Sequence, residues 1–178
     1  FLLVYYYFCS INKSCTHEAP HRDIHPSSRP PLSGVWRARA LYAILRTQAD
    51  YKCYVPLTTD TLIRYATTYY NRNRKSYRAA MAWYSLGCVY TEQNDDVAAI
   101  GAYLRAQTLF PDTTVLYYHL CYQNLGRHYL RRNMSDEALT VYTLYHNLTE
   151  GYFHLYADIG LAQAYIHKRQ PERAREIL

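Results

Sequence analysis

The sequence predicts an all-α fold of consecutive antiparallel helix pairs, and two observations carry that prediction. The first is the run from Ala80 to Pro111, where Trp83, Leu86, Gly87 and Tyr90 keep helical spacing and Ala99, Tyr103, Ala106 and Pro111 follow. The second is that the pattern returns. Leu125-Gly126-x2-Tyr129 with Ala138-x3-Tyr142 is one copy, and Leu161-Ala162-x2-Tyr165 with Ala174-x3-Leu178 is another. Tyr90, Tyr129 and Tyr165 lie 39 and then 36 residues apart, and Ala99, Ala138 and Ala174 drift by the same steps. Unrelated amphipathic helices would not keep step at two landmarks. In the later copies Tyr122 and Asp158 replace Trp83, and the second copy lacks the proline.

The elements follow in order. Residues 1–33 read as a signal remnant and linker, and residues 34–178 as the helical repeat domain. Ala38–Tyr51 is a helix with Leu41, Ile44 and Leu45 on one face; Pro56 then blocks continuation and Thr59 can cap. Asp60–Asn71 is a second helix, with Leu62, Tyr65, Ala66 and Tyr69 on its face, and this pair reads as an N-terminal cap or a degenerate repeat. In the first clear repeat, Gly87 and Ala99 let the two helices approach backbone to backbone. Asn94-Asp95-Asp96 supplies the turn and capping oxygens. Pro111 stops the second helix, and Asp112 or Thr113 caps the next. The chain opens on Phe1 and breaks off mid-pattern at Leu178, so continuation beyond both ends is expected.

The run from Trp83 to Pro111 resembles a tetratricopeptide repeat, whose W-x2-L-G-x2-Y, A-x3-F and P marks recur about every 34 residues. Only Ala80–Pro111 carries the specific motif; the wider resemblance covers residues 38–178. It implies a right-handed superhelical solenoid whose first helices line a concave groove, and a protein-binding scaffold rather than an enzyme. With the tract Tyr54–Thr59 and the helix after it, the chain is similar to Bacteroides-type proteins in which a short helix pair precedes a Tyr-rich array. That likeness implies the bacterial cell envelope, by lipid anchor or flanking membrane helix, with the cytoplasm as alternative. The competing function is the sensory part of a membrane-linked transcriptional regulator whose DNA-binding region lies beyond this segment.

Groove candidates come from the helical faces opposite the packing residues: Tyr84, Cys88 and Thr91, then Gln123, Arg127 and Arg131, then Gln163 and His167. Arg127 and Arg131, one turn apart, suggest a ligand with acidic groups. Tyr84 and Cys88 stand where a chaperone-type carboxylate clamp would carry Lys and Asn, which argues against that clamp. Most of the 22 tyrosines are expected in or near the core, with Tyr84 and Tyr156 as groove-lining exceptions.

The net charge of +6 does not amount to a nucleic-acid site. Its clusters, Asn71–Arg78, Arg127–Arg132 and His167–Arg175, fall at the ends of first helices, where cations complement the helix dipole. The five cysteines keep no metal spacing, and His17, His21 and His25 sit among prolines that oppose a helix. No nucleophile elbow, phosphate loop or zinc-protease motif occurs, so no metal, cofactor or catalytic residue is expected. Phe1–Phe8 followed by Cys15 reads either as the end of a secretory signal with a lipidated cysteine, Thr16–Ser33 then being the tether, or as a truncated N-terminus.

Overall fold

A computed structural model describes residues 34–71 and 76–178; the expectations for Cys15, the three N-terminal histidines and the linker lie outside them. Among the described residues the fold is all-helical: α1 (Gly34–Lys52), α2 (Thr61–Tyr70), α3 (Tyr77–Glu92), α4 (Asp96–Leu109), α5 (Leu116–Arg131), α6 (Ser135–Leu148), α7 (Tyr152–His167) and α8 (Pro171–Ile177). Each helix packs on the next, and α1, α3, α5 and α7 also pack successively on one another.

One turn closes all four of these odd-numbered helices. Tyr54, Asn94, Asn133 and Arg169 take left-handed φ values of 56, 58, 58 and 58°. The next residue then donates its N–H back to Asp50, Tyr90, Tyr129 or Tyr165, at 2.9 Å in every case. This six-to-one closure satisfies a carbonyl that the helix end leaves open and reverses the chain. Because Tyr54 takes part, the α1–α2 pair has the same closure as the later pairs. Its link to α2 is merely longer.

Caps are mixed. Ser76 Oγ accepts from Ala79 N–H, and Asp95 Oδ1 accepts from Ala98 N–H, so the Asn94-Asp95-Asp96 turn is capped as its residues imply. The capping expected from Asp112 or Thr113 does not occur. Asp112 folds onto Thr114 N–H at 2.8 Å, which leaves Val115 as the N-cap of α5 with no side-chain oxygen to offer. Thr59 does not cap α2 either; Asp60 precedes that helix, and its carboxylate accepts from Tyr90 Oη and Arg64.

Two core clusters meet at Tyr118, Tyr129 and Val141, which touch both. The backbone-to-backbone approach expected at Gly87 is corrected by the structure, because an aromatic ring fills the space. A Cβ on Gly87 would lie 2.6 Å from the Tyr103 ring, and one on Gly126 would lie 2.2 Å from the Tyr142 ring. A Cβ on Gly160 of α7 would meet that same Tyr142 ring from another helix, also at 2.2 Å. The pattern thus pairs a flat tyrosine with the missing side chain of a glycine. On the first two helices Ile44 and Ala66 are buried and Tyr65 and Tyr69 pack on the core as expected, but two leucines do neither. Leu45 and Leu62 are exposed, and the buried faces are Ala40, Ala43, Ile44 and Thr47 on α1 and Ile63, Ala66, Thr67 and Tyr70 on α2.

A part-buried polar chain centred on the fully buried His128 ties α3, α4 and α5 together. Asp96 Oδ1 lies 2.7 Å from Nδ1 of His128, whose Nε2 lies 2.9 Å from Thr91 Oγ1. A carboxylate accepts only, so Nδ1 carries a hydrogen, while the one Thr91 hydroxyl proton is contested between Nε2 and the Gly87 carbonyl, 2.8 Å away. Burial pushes the His128 pKa below its ordinary value, with Asp96 opposing, and burial also lowers that of His119, which stacks on Phe153 at 4.8 Å. A histidine whose folded pKa is depressed contributes stability above its unfolded pKa and loses it as pH falls. Thermal melting is therefore expected to drop as pH is lowered through about 6.5 toward 5. In the His119→Phe variant the drop should shrink; an unchanged pH profile would remove that residue from the account.

Candidate functional site

The candidate site lies where α1, α3 and α5 meet. A cavity of about 260 Å³ opens there. Gln48, Tyr51 and Lys52 of α1 form one wall, and Leu116, Tyr117, Leu120, Asn124 and Arg127 of α5 form the other. Tyr84 of α3 lies at the floor, 4% exposed, edge-on to Tyr117 at 5.1 Å. A second cavity of about 340 Å³ is also lined by Tyr51 and Lys52, with Tyr54 and Glu92.

The local sequence explains this arrangement. Lys52 is in the last turn of α1, where its charge complements the helix dipole, and its Nζ donates to Tyr117 Oη at 3.2 Å. Its ammonium also lies 5.7 Å from the Tyr117 ring centroid. Arg127 Nη2 donates to Asn124 Oδ1 at 2.9 Å, which aims the guanidinium at the same cavity. Burial raises the Tyr51 pKa and Arg127 works against it, so that phenol stays protonated as a hydrogen-bond donor. The site therefore offers two cations, phenols and amides on an apolar floor.

The eight groove candidates scatter across this picture. Arg127 and Tyr84 line the cavity. Cys88 does not: it is fully buried, its thiol near Tyr103 Oη and its pKa pushed up to about 11 by burial. Thr91 is engaged with Gly87 O, Tyr103 Oη and His128. Gln123 donates to Tyr145 Oη of α6 at 3.1 Å. Arg131 turns away from Arg127 to Asp96 and Asn94 at 3.3 and 3.1 Å. The cation that joins Arg127 is Lys52. Gln163 and His167 are exposed on α7, as is Tyr156, which shares a hydrogen bond with Tyr152. None of these three lines the α1–α3–α5 cavity.

Sequence reasoning missed Tyr51, Lys52, Tyr117, Leu120 and Asn124. The signal was the closing turn: Lys52, Glu92, Arg131 and His167 hold the same place, two residues before the left-handed residue of each turn. Reading α1 as a full first helix rather than a cap would have put Lys52 beside the groove.

Two other constellations bear on chemistry. Asp96, His128 and Thr91 form the carboxylate–imidazole–hydroxyl order used to activate nucleophiles. Here His128 is fully buried and Thr91 Oγ1 is also engaged by Gly87 O and Tyr103 Oη, so all three side chains are committed to joining α3, α4 and α5. The other is His146, His154 and Asp158, whose ligand atoms lie within 4.8 Å of one another. No helix among the described residues is long and apolar enough to cross a membrane. No protein-family model and no curated protein matches the chain.

Proposed function

We propose that this chain is a tetratricopeptide-type right-handed solenoid that binds a protein partner, taking an extended acidic segment into the groove over α1, α3 and α5. The observation that carries this reading is the convergence of Lys52 and Arg127, from two different first helices, on one tyrosine-lined cavity. Four equal turns support the repeat reading, since they set the odd-numbered helices side by side. A row of first helices presents one long face instead of a closed pocket, and such a face suits an extended segment. Tyrosine supplies wide contact at low entropic cost, and paired cations select carboxylates over neutral side chains.

A random peptide library displayed on phage and selected on the immobilised full chain tests the proposal. Enriched peptides are expected to carry Asp or Glu beside an apolar residue. Their affinity should fall about tenfold in the Lys52→Ala/Arg127→Ala variant and weaken with added salt. Enrichment without acidic residues, or affinity equal in parent and variant, would refute it.

A further inference from the structure

The α6–α7 hairpin carries a group of side chains with chemistry of its own, none of which lines the groove. His146 lies in the last turn of α6, and His154 and Asp158 are one turn apart on α7. Gly151, at φ 60°, opens α7 after the short link and brings its first turns back along α6. The result is two imidazoles with centroids 4.0 Å apart, and a carboxylate reaching both. Asp158 Oδ1 lies 2.7 Å from His146 Nδ1, and Asp158 Oδ2 lies 3.9 Å from His154 Nε2.

We propose that His146, His154 and Asp158 bind one borderline divalent cation of the Zn2+ class, clipping α6 to α7. The hydrogen-bonding of His154 is the reason to go beyond a simple ion pair. Its Nδ1 lies 2.9 Å from the Thr149 carbonyl, which can only accept, so Nδ1 carries the hydrogen. In the neutral ring Nε2 then has its lone pair free and turned toward Asp158. Metal-ligating histidines are held in this way, with the outer nitrogen donating to a backbone carbonyl. An ion pair between His146 and Asp158 alone would give no reason for a second imidazole so oriented beside it.

The dimensions are within reach. Ligands about 2.1 Å from a tetrahedral ion stand about 3.4 Å apart, so a spread within 4.8 Å closes by rotation of half-exposed side chains. On binding, the neutral His146 ring passes its proton from Nδ1 to Nε2 through water, and Nδ1 becomes the ligand atom. Two nitrogens and one oxygen suit Zn2+ and its transition-metal neighbours, not Mg2+ or Ca2+, which prefer oxygen shells. Water completes the fourth position.

Zn2+ and Mg2+ titrations of the full chain, by calorimetry and thermal melting, test the site. The parent is compared with His154→Ala, Asp158→Asn, and a control with His17, His21 and His25 all changed to alanine. The parent and the control are expected to bind a single Zn2+ equally well and to melt higher with it. His154→Ala and Asp158→Asn should lose about tenfold or more in affinity, and Mg2+ should affect none of the four. No Zn2+-dependent change in the parent would overturn the proposal, as would parental affinity in His154→Ala and Asp158→Asn or loss of binding in the N-terminal control.

Discussion

Tyr103→Ala is expected to lower the folding free energy by about 3–5 kcal/mol, the range for removing a large buried ring. The ring is completely buried and lies flat on Gly87, so its removal leaves a slot walled by backbone that cannot collapse. It also stacks on His128 at 5.8 Å and tilts against Tyr84 at 5.6 Å, which joins α3, α4 and α5 through one side chain. Tyr103→Phe keeps the ring but removes the hydroxyl shared with Thr91, at a cost of about 1 kcal/mol. Denaturant melts of the two variants separate ring from hydroxyl. If Tyr103→Ala melted like Tyr103→Phe, the ring-on-glycine packing would not be what holds α3 to α4.

The second large effect runs against helix propensity. Alanine is favoured over glycine by about 1 kcal/mol inside a helix, so Gly126→Ala would stabilise an open site. Here the new Cβ would lie 2.2 Å from the Tyr142 ring. That ring has no retreat, because Gly160 meets it equally closely from α7 and the side chain is buried. Overpacking therefore outweighs propensity, and Gly126→Ala is expected to lose about 1–3 kcal/mol. Gly101→Ala is the control: it is helical, with nothing within 4 Å of its would-be Cβ. It should gain about 0.5–1 kcal/mol. Equal melting temperatures for the two variants would contradict this ranking.

Helices and pairing were legible because they rest on short-range physics. The spacing of Leu86, Gly87 and Tyr90, and the drift shared by the tyrosine and alanine landmarks, follow from helical periodicity alone. The Asn94 turn was legible for the same reason. What escaped depends on which neighbours cover a helix. Placing Cys88 in the groove assumed that the face opposite the packed one meets solvent. α3 instead packs on α1, α2, α4 and α5, and its second face is covered as well. On α1 and α2 the expected Ile44 and Ala66 are buried and Tyr65 and Tyr69 pack on the core, but Leu45 and Leu62 face out, because close helix contacts there bury small residues such as Ala40, Ala43 and Thr67. The Thr91–His128–Asp96 chain left no trace in the sequence, since its members are as many as 37 residues apart. The separation of Arg131 from Arg127 was hidden likewise, because Asp96 and Asn94 reach Arg131 across a pair boundary.

The central claim, that α1, α3 and α5 together bind an acidic segment, is tested most directly by mapping where such a segment sits. Amide NMR of the isotope-labelled full chain, titrated with a library-selected acidic peptide, gives that map. Perturbed amides are expected to cluster around Gln48–Lys52 on α1 and Leu116–Arg127 on α5, with Glu92 at the margin, and to be lost in the Lys52→Ala/Arg127→Ala variant. Perturbations gathered on the outer faces of α4, α6 and α8, with the groove amides unmoved, would contradict the account.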